Sequence, residues 1–384
     1  MKKVMLVFGT RPEAIKMCPL VIELKSRTDM DVKLCVTGQH REMLDQVLSI
    51  FEITPDYDLN IMQANQSLYT ITSKCLVGMD EAIDTLKPDM ILVHGDTSTT
   101  FAGALSAFYH KVPVGHVEAG LRTYDKYSPY PEEMNRKLVT AMADLYFCPT
   151  VNNRDNLAKE GVTEGVFITG NTVIDALKTT VRKDYTFTTE GLNDLPFGSK
   201  KIILVTCHRR ENYGQPMEDI MSALAEIAKT HDDVELVYPV HLSPVVQECA
   251  KRNLGDLSRV HLIEPLDVNE MHNLMDRSYL VMTDSGGLQE EAPAMGKPVL
   301  VLRKETERPE AIAAGTVKLA GVEEEDIFSL ACELLQDKAA YDAAAAGEKM
   351  MYCVPFNMYE DRFVAGWTVV TDQNIYCILD GKIL

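Results

Sequence analysis

Short runs of β-branched and other apolar residues alternate with segments of helical periodicity along most of this chain. That alternation is typical of βαβ units, in which helices join parallel strands. In the first half, strands are predicted at residues 4–8, 32–37, 90–94, 114–117, 145–148 and 166–169. In the second half, they are predicted at residues 202–206, 234–239, 260–263, 279–283 and 299–302. The pattern therefore predicts an α/β protein with two Rossmann-like, doubly wound domains.

The strand pattern is interrupted once, near the middle of the chain. A helix is predicted from just beyond Gly170 to residue 183, and the polar stretch 188–200 is predicted to be a linker because it contains Gly191, Pro196 and Gly198. Residues 1–170 are accordingly assigned to an N-terminal domain and residues 171–355 to a C-terminal domain. A chain of 384 residues with 46% hydrophobic content is long and apolar enough to form both cores.

The composition limits the partners and the compartment. The net charge of −19 argues against a sequence-independent nucleic-acid binder, because such proteins need a basic surface to displace counterions. Nine cysteines without a C-x-x-C pair indicate buried free thiols in a reducing compartment. No apolar run approaches the length of a membrane span, and the first strand is too short for a signal-peptide core. A cytoplasmic protein without a membrane partner is predicted.

Two glycine-containing turns lie between a predicted strand and a predicted helix. Residues 9–16 follow the first strand, and Ser285, Gly286 and Gly287 follow the strand that ends at residue 283. A turn of this kind presents free backbone N–H groups and the positive end of a helix dipole to a phosphate. Each turn alone is also compatible with a structural role. Together, one in each half, they predict a nucleotide held in a central cleft that the two domains face.

Polar residues follow several predicted strands, beyond the carboxyl ends where doubly wound sheets bind ligands. They include Asp96, Glu118 and His208, and Glu132 begins a later helix. Each has a structural alternative, because aspartate is a favoured N-cap, glutamate complements a helix dipole and histidine fits a solvated loop. Gathered at one site, the carboxylates would raise one another's pKa and serve as acid and base. The histidines and carboxylates lack metal-ligand spacing, so no metal site is predicted.

An ordered set of motifs covers about the first 350 residues. The motifs are FGTRPEAIKM at 8–17, HGDT at 94–97, GHVEAGLRT at 115–123, PEE at 131–133, TGNT at 169–172, HRREN at 208–212, DSGG at 284–287, GKPVL at 296–300 and TERPEA at 306–311. Together they closely resemble the bacterial non-hydrolysing UDP-N-acetylglucosamine 2-epimerases, which have the two-domain GT-B fold. So many motifs in order are far more specific than any single glycine turn.

The resemblance implies reversible C2 epimerisation between UDP-N-acetylglucosamine and UDP-N-acetylmannosamine, which supplies N-acetylmannosamine units for cell-surface polysaccharide. It implies elimination of UDP to 2-acetamidoglucal and re-addition to the same face of C1, with no redox cofactor or metal. By the same resemblance, the catalytic residues are Asp96, Glu118, Glu132 and His208. The implied substrate-binding residues are Arg11, Lys16, Met271, Ser285, Gly286, Gly287, Glu291 and Arg308. Which carboxylate is the base and which is the acid stays open.

Regulation and assembly are also implied by the resemblance. Some bacterial members bind a second UDP-N-acetylglucosamine as an activator, and the segments around residues 39–43 and 239–244 resemble the ones they use. Gln39, His40 and His241 are therefore predicted to form an allosteric site. The resemblance further implies a homodimer.

The chain departs from the family near its C-terminus, where residues 353–361 replace the usual turn before a terminal helix. Residues 366–384 are rich in β-branched residues and have no helical period, either as a genuine variant or as an altered reading of this segment. By resemblance, residues 356–384 are predicted to pack back on the N-terminal domain, and poor docking there would weaken domain closure. Met271 is a milder departure, because relatives often carry an aromatic residue near the uracil.

Three other functions are compatible with parts of the pattern. A hydrolysing 2-epimerase, which releases free N-acetylmannosamine and UDP, would share most of the motifs. A GT-B glycosyltransferase would share the nucleotide-binding turn, but the clustered carboxylates argue against it. A non-catalytic sensor of sugar nucleotides would keep the nucleotide contacts and has no use for three carboxylates and a histidine.

Overall fold

The computed structural model describes residues 1–39, 41–63, 66–306, 312 and 315–345, together with the backbone of the strands beyond them. The chain divides into two compact units, one formed by Met1–Ala176 with Met350–Leu384 and the other by Leu177–Lys349. Each unit is built around its own parallel sheet, whose strands are connected by helices. The α/β prediction from the alternating pattern is therefore confirmed.

The first unit contains a 7-stranded parallel sheet. Its strands are β1 (Lys2–Phe8), β2 (Met30–Val36), β3 (Tyr57–Asp58), β4 (Met90–His94), β5 (Val114–Val117), β6 (Leu145–Cys148) and β7 (Val166–Ile168). Its helices are α1 (Arg11–Ser26), α2 (Arg41–Ile50), α3 (Leu68–Leu86), α4 (Ser98–Tyr109), α5 (Glu132–Met142) and α6 (Val151–Lys159), and α7 (Val173–Thr180) crosses the boundary between the units. Every residue of β4 and residues 4–8 of β1 are buried, which explains their continuous apolar sequence.

The direction of winding reverses between β1 and β4. The strand order is β3-β2-β1-β4-β5-β6-β7, so the chain moves outward on one side from β1 and on the other side from β4. In doubly wound sheets, ligands bind beyond the carboxyl ends of the two strands at such a reversal. Residues 9–11 follow β1 and residues 95–97 follow β4, which places the first glycine turn and Asp96 at this point.

The second unit repeats the same plan with a 6-stranded parallel sheet in the order β10-β9-β8-β11-β12-β13. Its strands are β8 (Lys201–Thr206), β9 (Val234–Pro239), β10 (Val260–Ile263), β11 (Leu280–Thr283), β12 (Val299–Val301) and β13 (Val317–Leu319). Its helices are α8 (Gln215–Thr230), α9 (Pro244–Leu254), α10 (Val268–Arg277), α11 (Leu288–Ala294), α12 (Glu324–Gln336) and α13 (Lys338–Ala345). The winding reverses between β8 and β11, which lead to His208 and Ser285.

The segment 188–200 is part of the second unit, and its prediction as a linker was wrong. Leu192 is 1% exposed and Leu195 is 7% exposed, and both pack in the core beside the sheet. The Thr189 N–H donates a hydrogen bond of 3.0 Å to Glu270 Oε1, which fixes the segment to α10. The apolar anchors are scattered among turn residues without a period, so the local sequence pattern does not reveal them.

The C-terminal segment forms antiparallel β-structure. Its strands are β14 (Tyr352–Val354), β15 (Asn357–Tyr359), β16 (Arg362–Val364), β17 (Gly366–Val370), β18 (Ile375–Leu379) and β19 (Lys382–Ile383). Strands β14, β17, β18 and β19 form one sheet in that order, and β15 pairs with β16. This structure agrees with the β-branched composition and differs from the terminal helix that the family resemblance implies. Within the described residues, no helix has the length and apolarity needed to cross a lipid bilayer.

Candidate active site

Asp96 follows β4, but it does not cap the next helix. The N-cap of α4 is Thr97, whose Oγ1 accepts a hydrogen bond of 3.1 Å from the Thr100 N–H. The Asp96 carboxylate instead forms an ion pair with α5, in which Arg136 Nη2 lies 2.6 Å from Asp96 Oδ2. Burial raises the pKa of Asp96, and the Arg136 cation opposes that rise. The capping alternative is therefore excluded, and the Asp96 carboxylate is engaged by Arg136 instead.

Glu118 has an uncommon backbone conformation just beyond β5. Its φ of 62° lies in the left-handed region, which costs about 1–2 kcal/mol for a residue with a Cβ. Glu118 Oε1 forms an ion pair with Lys16 Nζ, and Glu118 Oε2 lies 3.5 Å from His94 Nε2. Gly95 leaves space for this side chain, since a Cβ at Gly95 would lie 3.2 Å from Glu118 Oε2. Such strain at a carboxylate beside a cation is typical of functional sites.

Helix α5 begins with two glutamates in different environments. Glu133 is fully buried, and its carboxylate accepts hydrogen bonds of 3.1 Å from the N–H groups of Thr123 and Tyr124. It also lies 3.3 Å from Arg136 Nη1, so it helps to orient that guanidinium. Glu132 Oε2 is buried and has no hydrogen-bond partner in the described part of the chain. Glu132 is therefore the α5 carboxylate with an oxygen left for a further partner.

A buried carboxylate that the sequence did not single out, Glu13, connects the turns beyond β1 and β4. Glu13 Oε2 accepts hydrogen bonds from the N–H groups of Gly9 at 3.1 Å and Thr10 at 2.8 Å. Glu13 Oε1 accepts one of 2.7 Å from Thr97 Oγ1 in the other turn. Burial raises the pKa of Glu13, and these hydrogen bonds oppose the rise. The turn that leads into Arg11 is thus fixed against the turn that carries Asp96.

In the second unit, Asp284 fixes the turn that carries His208. Asp284 Oδ2 accepts hydrogen bonds of 2.8 Å from the N–H groups of His208 and Arg209, and one of 3.2 Å from Asn212 Nδ2. His208 Nδ1 lies 3.3 Å from Asp284 Oδ1. Burial lowers the pKa of His208, and the Asp284 carboxylate opposes the decrease. Since β8 and β11 are neighbouring strands, these contacts hold together the two segments at the winding reversal.

The glycine turn at residues 285–287 leads from β11 into α11. The Ser285 N–H donates a hydrogen bond of 2.9 Å to Thr283 Oγ1, which fixes the start of the turn. A Cβ at Gly286 would lie 3.9 Å from Arg209 Nη2, so this turn lies beside the segment that carries His208. The predicted anion-binding turn and the predicted histidine are therefore neighbours within the second unit.

Two more residues of the predicted substrate site, Met271 and Glu291, belong to helices α10 and α11 of the same unit. Glu291 Oε2 lies 3.4 Å from His272 Nε2, and a Cβ at Gly287 would lie 3.4 Å from Glu291 Oε1. Glu291 is therefore next to the glycine turn. Met271 is partly buried and packs against the core that contains Leu274, leaving part of its side chain exposed.

The residues predicted for an activator site contact the turns described above. Gln39 Oε1 lies 3.5 Å from Thr99 Oγ1 at the start of α4. In the second unit, the ring of His241 stacks on that of His208, with 5.4 Å between ring centroids and 12° between ring planes. The predicted His40 and Arg308 lie outside the residues that the structure describes.

The sequence pattern gave little sign of the residues that orient this site. Arg136 is one helical turn beyond Glu132, but its partner Asp96 is separated from it by 40 residues. Asp284 stands in a recognised motif, yet its contact with His208 spans 76 residues. Pairings at that separation depend on which strands are neighbours, and strand order is not visible in a local pattern.

In the described residues, no group of three or more His, Cys, Asp or Glu side chains could hold a metal ion. The arrangement that is present consists of carboxylates beside cations in one unit and a histidine beside a glycine turn in the other. Such groups can transfer protons and bind an anionic leaving group.

Comparison with known proteins identifies the family. The family model described as UDP-N-acetylglucosamine 2-epimerase matches residues 22–354 of the chain. The chain belongs to the UDP-N-acetylglucosamine 2-epimerase family. The UDP-N-acetylglucosamine 2-epimerase of Bacillus subtilis strain 168 is 58% identical over 340 residues, which are 88% of this chain and 88% of that protein. The membership of the UDP-N-acetylglucosamine 2-epimerase family that the sequence motifs predicted is thus confirmed.

Solved structures of this epimerase family have the same fold. UDP-GlcNAc 2-epimerase from Neisseria meningitidis, solved bound to UDP-GlcNAc, has a TM-score of 0.82 and 48% identity and covers 90% of this chain and 95% of that chain. Two doubly wound α/β units of this kind form the GT-B architecture, which a more distant glycosyltransferase shares. The family match ends at residue 354, so most of the C-terminal β-structure lies beyond it.

Proposed function

We propose that the chain catalyses the reversible C2 epimerisation of UDP-N-acetylglucosamine to UDP-N-acetylmannosamine without net hydrolysis. The observation that carries the proposal is the pair Asp96 and Glu118, two carboxylates that follow neighbouring strands and contact different cations. Epimerisation needs two proton-transfer groups, because a proton leaves one face of C2 and another returns to the opposite face. The N. meningitidis relative bound to UDP-GlcNAc supports this choice of substrate.

In the proposed first step, one carboxylate takes the proton from C2. The electron pair of the C2–H bond forms the double bond between C1 and C2, while the C1–O bond breaks and its electron pair leaves with UDP. The products of this step are 2-acetamidoglucal and UDP. Negative charge develops on the β-phosphate, and we assign its stabilisation to Arg11, His208 and the N–H groups of residues 285–287.

In the proposed second step, UDP adds back to the same face of C1. A carboxyl group on the opposite side delivers a proton to C2, which gives the inverted configuration. The raised pKa of Asp96 favours its protonated form, which suits the acid role. Glu132, whose buried Oε2 lacks a partner in the described structure, is the third group that can take part. Electrons balance without an oxidant, so the reaction requires no redox cofactor.

The remaining proposed substrate contacts come from several elements. Lys16 stabilises the ionised Glu118 through the ion pair described above. Glu291, beside the glycine turn, can accept hydrogen bonds from ribose hydroxyls. The exposed part of Met271 offers an apolar surface to the uracil ring. Arg308 is proposed as a further diphosphate contact from the family resemblance alone.

Activation by a second substrate molecule is a further part of this proposal. Its support is that Gln39 contacts the start of α4 and His241 stacks on His208, so a ligand at either residue would affect the catalytic turns. Initial rates are expected to rise sigmoidally with the concentration of UDP-N-acetylglucosamine. Gln39→Ala should make this curve hyperbolic, whereas the exposed control Gln215→Ala should leave it sigmoidal. A sigmoidal curve for Gln39→Ala would remove this residue from the activator site.

The proposal also includes a homodimer in the cytoplasm that supplies N-acetylmannosamine units for surface polysaccharide. Support for the dimer comes from apolar residues exposed near the contact of α3 and α4. Val77 is 65% exposed, Phe108 59% and Tyr109 69%. His110 Nε2 lies 2.7 Å from Asp80 Oδ1, which joins the end of α4 to α3 one turn from Val77. Exposed apolar surface of this kind is typical of protein–protein interfaces.

Proton NMR in heavy water tests the proposed reaction. The purified protein is incubated with UDP-N-acetylglucosamine and a metal chelator, without added nicotinamide cofactor. We expect UDP-N-acetylmannosamine to appear with deuterium at C2, because the abstracted proton exchanges with solvent before one returns. Protein heated until it unfolds is the control for uncatalysed change.

Each alternative function gives a different spectrum in the same experiment. Free N-acetylmannosamine together with UDP would identify a hydrolysing 2-epimerase. Binding of the nucleotide sugar with neither product nor exchange at C2 would contradict the proposal and favour a glycosyltransferase or a sensor. UDP-N-acetylmannosamine without deuterium at C2 would contradict the proposed step in which the abstracted proton exchanges with solvent.

A further inference from the structure

His94, the last residue of β4, is a buried histidine without an evident structural role. Its side chain is 4% exposed, and neither ring nitrogen has a hydrogen-bond partner among the described residues. Leaving a buried polar group without a partner costs about 1–3 kcal/mol, and an apolar residue of similar volume would avoid that cost. Buried polar groups of this kind call for an explanation beyond packing.

The ring of His94 faces one oxygen of Glu118. His94 pairs with Val117 in the parallel register of β4 and β5, so Glu118 is the next residue beyond that pair. His94 Nε2 lies 3.5 Å from Glu118 Oε2, while Glu118 Oε1 is engaged by Lys16. Glu118 Oε2 occupies space that a side chain at Gly95 would restrict. A small movement of either side chain would bring this pair to ordinary hydrogen-bond distance.

The protonation of His94 follows from its surroundings. Burial lowers the pKa of His94 to about 3, so its ring is neutral at physiological pH. The charged or titratable groups that act on it are Glu118 beyond β5, Lys16 of α1 and His116 of β5. The Nε2 atom of His116 is engaged by the Gly95 carbonyl oxygen at 2.7 Å, so His116 has its own partner. A neutral His94 with its proton on Nε2 has a donor 3.5 Å from Glu118 Oε2.

We propose that His94 is a positioning residue for Glu118, whose Oε2 accepts a hydrogen bond from the neutral His94 ring when substrate is bound. This inference rests on the proposed catalytic role of Glu118. With Lys16 at one oxygen and His94 at the other, rotation of the carboxylate is prevented.

The test compares His94→Leu with His94→Gln. Leucine fills the space without an N–H group, whereas glutamine keeps an N–H group near the position of Nε2. Because a hydrogen bond to a charged group corresponds to about a 10–100-fold change in rate, we expect kcat of His94→Leu to fall by about that factor with little change in KM. His94→Gln should recover most of the loss.

A pH profile separates positioning from packing. An N–H donor favours the ionised carboxylate in the substrate complex, so its removal in His94→Leu should move the acidic limb of the kcat profile to higher pH. The control is His231→Leu, which alters a buried histidine of the second unit that contacts Cys332 and should leave the profile unchanged. Thermal melting of each variant shows whether it is folded.

Two results would overturn the positioning role. One is a folded His94→Leu variant with wild-type kcat and pH profile, which would make His94 a packing residue. The other is equal loss of kcat in the leucine and glutamine variants without a shift in the profile. Failure of the proposed function is distinguishable, because the unmodified protein would then form no UDP-N-acetylmannosamine.

Discussion

Replacing Asp96 by asparagine is expected to lower kcat for epimerisation by about 10²–10⁴-fold, the usual contribution of a group that transfers protons. The side chain keeps its volume, and its oxygen can still accept a hydrogen bond from Arg136 Nε, which lies 2.9 Å from Asp96 Oδ2. The amide cannot hold or return a proton at neutral pH. Affinity for UDP should stay within about twofold, because the proposed diphosphate contacts are contributed by other residues. Turnover by NMR and UDP binding by calorimetry measure the two quantities.

The matched control for this variant is Asp89→Asn, which lies at the amino ends of the strands in the same sheet. Asp89 Oδ2 accepts a hydrogen bond of 2.7 Å from the Lys3 N–H at the amino end of β1. We expect this control to lose a little stability and to keep its turnover, since Asp89 lies at the amino ends of β1 and β4, whereas Asp96 lies beyond the carboxyl end of β4. Wild-type turnover in Asp96→Asn, or an equal loss in Asp89→Asn, would contradict the assignment of Asp96.

Replacing Gly120 by alanine is expected to lower the unfolding free energy of the first unit by about 3 kcal/mol and its melting temperature by about 6–12 °C. Gly120 has a φ of 85°, and an added Cβ would lie 2.2 Å from the backbone oxygen of Asn153. That oxygen belongs to the first turn of α6, so it cannot move away as the end of a flexible side chain could. The cost combines left-handed backbone strain with a steric clash.

Gly161→Ala separates these two contributions. Gly161 has a φ of 84°, nearly the same as that of Gly120, but an added Cβ there would meet nothing within 4 Å. This variant should therefore lose only the strain, which is about 1 kcal/mol. Melting followed by circular dichroism compares the two proteins. Equal melting temperatures would show that α6 yields to the added methyl group, contrary to the expected clash.

The strands were predictable from the sequence where both faces of a strand are buried, because such a strand is a continuous run of apolar residues. Strands β4, β5, β6, β9 and β10 have the bounds that the sequence pattern predicts. Helices lie against such strands, so almost every strand residue is apolar and the pattern is strong. The segment that contains Leu192 was misassigned because its few buried residues follow no period. The order of the strands determines which segments are neighbours, and no local sequence pattern indicates that order.

The candidate site was predictable only as a set of positions at the ends of strands. Asp96 and His208 follow β4 and β8, which are strands at the two winding reversals, and Glu118 follows β5, the neighbour of β4. Ligands of doubly wound sheets bind at such positions. The partners of these residues could not be predicted in the same way. Arg136 reaches Asp96 from a helix, and Asp284 reaches His208 from the adjacent strand. Those contacts depend on three-dimensional packing rather than on spacing along the chain.

The capping of α4 by Thr97 means that helix stability and the proposed proton transfer depend on two separate side chains. Thr97 Oγ1 accepts the bond from the Thr100 N–H, while the neighbouring Asp96 carboxylate is bound by Arg136. Had one residue served both purposes, any change in the acidity of the group would also have altered the helix. With the tasks divided between adjacent positions, evolution can adjust the acidity at Asp96, through changes at Arg136 or around it, without loosening the scaffold that presents it.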